Sequence, residues 1–384
     1  MKIQTNQRNF STAIDTVLEA VPSRPVLPIL SNLLLSAAVD NLSFVATDLD
    51  LSISTSIDVV VQETGTIAIT ARKLSEIVRE LPQGKDIYLS LLDHRLLIEL
   101  TGDDLHRGVY TIAGVDPDDF PQFPDLSFAP SFVLNKGGSI SPQDVAMMVN
   151  KVAFAASRED QMRPVLGGVL WRVRGNTFDI VATDGHRLAW MSKESDGLQE
   201  FEAVIPPRAL NLLPKLVDET TEQLKISVNE NFVKFDIGAT TVASRLIEGP
   251  YVAFEQIVPR EAQKTAVVRN EEYLIPAVRR MAILASAQTR QVRLSFKRGQ
   301  IDLTTTSAET GTEAKETIPA SYLDDDIEMA YNAGYLLDIL RRIDGAEVAL
   351  DLNTPVSAGI IRPKQQEEGT TQRYLLMPLR LTER

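Results

Sequence analysis

Phe44-Val45-Ala46-Thr47-Asp48 is answered by Ile180-Val181-Ala182-Thr183-Asp184 at an offset of 136, and a weaker third copy, Leu303-Thr304-Thr305-Thr306-Ser307, follows after another 123. Self-similarity at so long a period marks recurring supersecondary units. Each copy lies in the apolar/polar alternation of a half-buried strand, and Leu49, Leu51, Ile53, Thr55, Ile57 and Val59 continue the first copy as if its strand ran on. Upstream of each copy the period changes to that of a helix. Phe10, Ile14, Val17, Leu18 and Val21 share one helical face, as do Val145, Met148, Val149 and Val152, and then Leu274, Val278 and Met281. Ser11, Ser141 before Pro142, and Asn270 before Glu271 and Glu272 are the expected helix starts. Pro276 predicts that the third of these helices starts late or kinks, because proline lacks the N–H an interior position uses.

A second helix also recurs: Leu74, Ile77, Val78 and Leu81 are matched by Leu210, Leu213 and Val217, and by Leu336, Ile339, Leu340 and Ile343. Their anchors Leu74, Leu210 and Leu336 lie 136 and 126 apart, and one third of 384 residues is 128, so three copies of one unit account for the chain. Hairpin turns are expected at Arg174-Gly175-Asn176, Asn229-Glu230-Asn231 and Lys297-Arg298-Gly299-Gln300. Each unit therefore reads as α+β, two helices with antiparallel strands. Proline-rich seams run from Asp116-Pro117 to Pro130 and from Val258-Pro259-Arg260 to Thr265, giving expected domains 1–130, 131–260 and 261–384.

Composition narrows the function classes. With 44% hydrophobic and 24% charged residues, the chain has the make-up of a globular protein. No run approaches the roughly 18 apolar residues of a membrane span. The stretch Met1 to Asn6 is too polar for the apolar core of a secretory signal, so a cytoplasmic location is expected. The absence of cysteine excludes disulfides, thiol nucleophiles and thiolate metal sites. His94, His106 and His186 are far apart in sequence, so a histidine metal cluster would require long-range convergence. Phosphate-loop, nucleophile-elbow and zincin strings are missing. Thr183, Asp184 and His186 contain the parts of a nucleophilic relay, but neighbours on a strand point to opposite faces, and Gly185 reads as the residue of a tight turn. Asp324-Asp325-Asp326 reads either as a divalent-ion site or as a solvated loop, the latter being the commoner use of such a run. We expect no catalytic residue, no metal and no cofactor. A net charge of −13 excludes a protein that grips a polyanion over its whole surface, while leaving room for a local basic face.

Ser23-Arg24-Pro25-Val26-Leu27-Pro28-Ile29-Leu30-Ser31-Asn32-Leu33-Leu34-Leu35, Thr183-Asp184-Gly185-His186-Arg187-Leu188 and Tyr374-Leu375-Leu376-Met377-Pro378-Leu379-Arg380-Leu381, placed in order in three repeats, resemble the bacterial DNA polymerase III beta subunits, the sliding clamps, along essentially the full chain. The resemblance implies three DNA clamp domains per chain and a head-to-tail homodimer closed into a ring, with sheets outside and helices lining a hole for double-stranded DNA. It implies that polymerase III, other polymerases, the clamp loader and repair proteins are tethered through short peptide motifs, without catalysis. It assigns the peptide groove to Leu166, Thr183, Gly185, His186, Arg187, Leu188, Val252, Gln256, Ile257, Val356, Ala358, Leu375, Leu376, Met377, Pro378, Leu379 and Arg380. Val252 stands where the family often has proline, and Gln256 where arginine occurs. The stretch from Leu375 to Leu381 also reads as a C-terminal strand completing a sheet, and both readings can hold, since alternate residues face opposite sides. Arg24 falls in the family's DNA-touching loop of the first domain. Arg158 and Arg163 are its second-domain counterparts, with Pro164 and Val165 replacing the family's paired tyrosines. At the ring interface the resemblance places Val109 opposite Ile283 and Leu284.

A ring that slides needs cations on its helices, touching phosphates without reading bases. The six helical segments carry +2 over 70 residues, leaving −15 on the other 314. Arg72, Lys73, Arg79, Lys151, Arg208, Lys215, Arg279, Arg280, Arg341 and Arg342 are the expected phosphate-facing residues; the competing reading of each is a solvated helix face. Two other functions compete, a three-domain protein scaffold that never meets DNA and an enzyme centred on Asp184 and His186.

Overall fold

The computed structural model describes all residues except 102–106, 159–161, 260 and 381–384. His106, Arg260 and Leu381, named above, lie outside the described residues. The chain forms two compact units, Met1–Lys136 with Glu219–Leu246, and Gly137–Asp218 with Ile247–Arg384. Among the described residues, the first unit holds a 13-stranded sheet, and the second holds an eight-stranded and a four-stranded sheet.

In the first unit, helices α1 (Gln7–Leu18) and α2 (Ala71–Glu80) pack on each other and on the sheet. Phe10, Ile14 and Val17 are fully buried on the sheet side of α1, and the Phe10 ring meets Phe44 at 5.4 Å. The start of α1 corrects the expectation at Ser11: Asn6 caps it by accepting from the Arg8 N–H, so the helix begins four residues earlier. Gln7, next in the chain, is buried and donates to the Val78 carbonyl at 2.7 Å, tying α1 to α2. The expectation that the strand runs on past Asp48 is also corrected. Strands Asn41–Thr47 and Leu51–Asp58 are antiparallel partners, and the chain reverses at Asp48–Asp50 with Leu49 at φ +82°. Asp48 holds the reversal by accepting from the N–H groups of Asp50 and Leu51.

In the second unit, α3 (Pro142–Val152) begins as expected. Ser141 and Asp144 form a reciprocal capping box, with Pro142 in the first turn. The second helix of the middle third is broken into two single turns, α4 (Pro207–Leu210) and α5 (Leu213–Leu216), because the Pro214 ring cannot follow the Leu210 carbonyl in a continuous helix. In the last third, Asn270–Leu274 winds as a π turn before α6 (Ile275–Leu284), so Pro276 sits in the first α-helical turn. Asn270 does not cap the helix; it is buried and donates to the Leu340 carbonyl of α7 (Ala333–Leu340). All three expected hairpins form, with Gly175 at φ +58° and Gly299 at φ +80° in two of the turns.

The sequence repeat becomes a repeated joint. In the first unit, the strand that follows the Thr47-Asp48 reversal, Leu51–Asp58, pairs antiparallel with Thr240–Arg245, the last strand of the middle third. In the second, the strand that follows Thr183-Asp184, Arg187–Glu194, pairs antiparallel with Thr370–Leu376, the last strand of the chain. The middle third thus contributes strands to both units.

Candidate functional site

The second joint carries a buried apolar cluster. Cross-strand register puts Leu170 opposite Val181, Leu188 opposite Leu375, and Ile360 opposite Leu375 on its other side, and these side chains share one sheet face. Together with Val204, Phe254, Val258 and Ala358 they form a buried cluster, and Trp190, Ile247 and Tyr251 are half-buried against it. Next to cluster members in the chain stand apolar residues that remain outside: Ile257 is 52% exposed, Val356 78% and Met377 43%. A buried apolar floor with exposed apolar rims is the form of a docking groove.

One end of this cluster is bordered by the Thr183–Leu188 turn. The Thr183 hydroxyl donates to the Arg187 carbonyl and accepts from the Gly185 N–H, while Asp184 Oδ1 accepts from the N–H groups of His186 and Arg187. Gly185, at φ +86°, supplies the left-handed residue, and the Arg163 guanidinium lies so near that a Cβ there would stand 3.3 Å from it. Arg187 is almost wholly committed. It is ion-paired to Asp184 and Asp338, donates to the Phe154 carbonyl, and lies over the Phe154 and Tyr335 rings at 5.1 and 4.5 Å. His186 stacks on Tyr335 at 6.2 Å and faces no carboxylate relay, since Asp184 holds Arg187. Met377 continues the edge by donating its N–H to the His186 carbonyl, and the Leu379 N–H is held by Ala330. Leu166, Thr183, Leu188, Ala358, Leu375 and Leu376 are buried; Val252, Pro378 and Leu379 are half-buried, and Gln256 and Arg380 exposed.

The sequence reading missed Trp190, Tyr251 and Phe254. Trp190 and Phe254 meet edge to face at 5.3 Å, and burial raises the Tyr251 phenol above its ordinary range. Trp190 falls two residues after Leu188 on the same strand, so period-2 alternation was the signal that could have found it.

The expected cations divide. In the first unit Arg24, Arg72 and Lys73 are exposed, whereas Arg79 is ion-paired to Asp15 at 2.7 Å. In the second unit Arg158, Arg163, Arg208, Lys215, Arg279 and Arg341 are exposed. Arg280 is exposed but engaged by Glu316, with Nε–Oε2 at 2.9 Å, and Arg342 is half-buried and donates to Asn150 at 2.6 Å. Lys151 corrects the expectation of a phosphate-facing residue. Its side chain is 12% exposed, and its ammonium is taken by Asp344 at 2.6 Å and Gln372 at 3.4 Å.

Two of the unpaired strand edges among the described residues correspond by the repeat to the paired edges of the two joints. Strand Arg107–Val115 pairs with Arg95–Thr101 on one side, but on the other only Gly114 and Val115 find partners; Val109 is 61% exposed on the remaining stretch. Strand Thr312–Pro319 forms one edge of the four-stranded sheet. The Thr312 hydroxyl donates to the Leu284 carbonyl at the end of α6, beside Ile283, which is 77% exposed. In the acidic run, Asp324 accepts from the Thr265 N–H, and no group of His, Cys, Asp or Glu is gathered for a metal ion among the described residues. No helix among them is long and apolar enough to cross a membrane.

Comparison with known proteins places these features in a family. Residues 1–124 match the DNA polymerase III beta subunit, N-terminal domain, 139–252 its central domain, and 255–380 its C-terminal domain. The beta sliding clamp of Synechocystis sp. is 31% identical, over 99% of this chain and 100% of that protein. The sliding clamp structure from Bartonella birtlesii bound to griselimycin superposes with a TM-score of 0.89 at 28% identity, covering 99% of this chain and all of that one. A Pseudomonas aeruginosa clamp, also bound to griselimycin, gives 0.90 at 26% identity with the same coverage.

Proposed function

Because the chain belongs to the family of DNA polymerase III beta subunits, the beta sliding clamps, we propose that the edges of Arg107–Val115 and Thr312–Pro319 close two copies head to tail into a ring around duplex DNA. The protein is a DNA sliding clamp. It serves replication as a processivity subunit, holding polymerase on DNA, and is not itself an enzyme.

The observation that carries the ring is the repeated joint. Each joint pairs the strand after the Thr-Asp turn of one third with the last strand of the next. By the same repeat, the strand after the third copy is Thr312–Pro319, and the last strand of the first third is Arg107–Val115. Both strands carry an unpaired edge among the described residues, and the repeat matches them to each other, a pairing that a second molecule completes. The contact is heterologous and closes after two copies. Val109 meets the Ile283 and Leu284 end of α6 across it. Three clamp domains, 1–130, 131–260 and 261–384, are then the repeating elements of a six-domain ring.

Arg24, Arg72, Lys73, Arg158, Arg163, Arg208, Lys215, Arg279 and Arg341 contact the phosphate backbone, as do Arg79 and Arg280, partly neutralised by Asp15 and Glu316, and Arg342, which Asn150 orients. Phosphate contacts carry no sequence information, which suits sliding. The acidic remainder limits adhesion elsewhere. The groove over Leu188, Ala358 and Leu375 takes short apolar peptides of polymerases, clamp loader and repair proteins, and griselimycin binds there. The clamp works in the cytoplasm, on the nucleoid.

Direct binding to DNA at low salt should weaken with log salt at about 0.9 log units for each phosphate neutralised. Replacing Arg72, Lys73, Arg208 and Arg279 together by glutamine is expected to flatten that slope by several log units per log unit of salt, measured by fluorescence anisotropy. An unchanged slope would remove these residues from the DNA face.

A further inference from the structure

The groove described above has a polar support on its own sheet face that neither the repeat nor the family resemblance singles out. Arg172 and Asp179 are cross-strand neighbours next to the apolar pair Leu170 and Val181. Asp179 is 4% exposed and receives Arg172 through Nε at 3.3 Å and Nη2 at 2.8 Å. Its other oxygen accepts from Trp190 Nε1 at 3.0 Å, so one buried carboxylate orients both the guanidinium and the indole. Arg172 then reaches out of the sheet. Its Nη1 donates to Glu255 at 2.6 Å, and its guanidinium lies over the Phe254 ring, 4.9 Å from the centroid.

Phe254 and Glu255 belong to the single tight turn Phe254–Gln256. Its backbone is internally bonded: Phe254 N–H to the Val252 carbonyl, Gln256 N–H to Ala253, and the N–H groups of Ile257 and Val258 to Phe254. Fixing Phe254 and Glu255 therefore fixes Val252, Gln256 and Ile257, the rim of the groove, as one piece. Burial works against the charge on both partners, yet the hydrogen bonds to Asp179 and Glu255 raise Arg172, and a hydrogen bond from Glu255's own backbone and one from the Arg172 side chain lower Glu255, so the pair stays ionised across the neutral range.

We infer that Arg172, Asp179 and Glu255 are positioning residues of the docking groove: Asp179 sets Arg172 and Trp190, and Arg172, through Glu255 and the Phe254 ring, holds the 252–257 rim at the distance from the Leu188 and Leu375 floor that a bound peptide requires. The inference rests on the groove reading proposed above. The Glu255 side chain is 43% exposed, and a half-exposed ion pair adds little to global stability, so its effect should appear in binding rather than in unfolding.

The test uses the full chain and griselimycin, with affinity and dissociation rate measured by surface plasmon resonance and Tm by calorimetry. Glu255→Gln is expected to weaken griselimycin about tenfold, mainly through faster dissociation, while Tm stays within about a degree. Arg172→Met is expected to weaken it further. Adding Glu255→Gln to Arg172→Met should then cost nothing more, because the tie is already cut and the two effects are not additive. Conservative Glu255→Asp, which keeps the charge, should recover most of the affinity lost in Glu255→Gln. Equal binding by Glu255→Gln and the parent, or losses that add in the double variant, would overturn the positioning role and leave the groove standing. Failure of the parent itself to bind griselimycin would overturn the groove reading and this inference with it.

Discussion

Aspartate at both Ile283 and Leu284 is expected to convert the dimer to monomers in sedimentation and to abolish retention on circular DNA. Ile283 is 77% and Leu284 38% exposed in the single chain, at the end of α6 that Thr312 ties to an uncommitted strand edge. Burying what these two side chains expose contributes about 2–3 kcal/mol per interface. Losing that much, with two carboxylates desolvated as well, raises dissociation by at least about a thousandfold at each contact. A ring has two such contacts and both weaken together. Neither residue belongs to the core, so the monomer should keep the parent's Tm and far-ultraviolet circular dichroism. A dimer of unchanged stability would displace the interface from this end of the molecule.

The second large effect is expected in the groove. Met377→Asp together with Val356→Asp should reduce griselimycin affinity at least about a hundredfold, because an apolar ligand would have to desolvate two carboxylates that have no partner in the cleft. Val356 and Met377 are 78% and 43% exposed, so the fold should tolerate the changes. Ring assembly and DNA retention should be untouched, since neither residue lies on α6 or on the strands Arg107–Val115 and Thr312–Pro319. The separation matters: loss of peptide docking with the ring intact assigns tethering to the groove, whereas undiminished griselimycin binding would move the site elsewhere.

Much of this was legible in the residues. The echo of Phe44–Asp48 at Ile180–Asp184 gave the repeat, and helical spacing found the buried faces of α1, α3 and α7, because burial on one side of an element leaves a period in the sequence. The Ser141-Pro142-Gln143-Asp144 string carries its own capping geometry, which is local and therefore readable. The reversal at Leu49 was hidden because an apolar residue in a left-handed turn preserves the alternation across it. Only Asp48, whose side chain closes the turn as Asp184 does in the next copy, marks the break. Non-local partners were beyond reach for a different reason. Lys151 looks like any helix-face lysine until Asp344 and Gln372 arrive beside it, and the first joint depends on pairings such as Thr55 with Thr240, 185 residues apart. The Arg172–Asp179–Glu255 support likewise has no spacing signature, because its three members come from two strands and a distant turn.

The central claim is that two copies hold DNA by enclosing it. The most direct measurement loads the protein onto nicked circular DNA, follows the bound fraction by gel filtration, and then cuts the circle once with a restriction enzyme. Topological tethering predicts slow loss from the circle and rapid loss after the cut, as the ring slides off the new ends. Equal dissociation from the circular and the linearised DNA would contradict it.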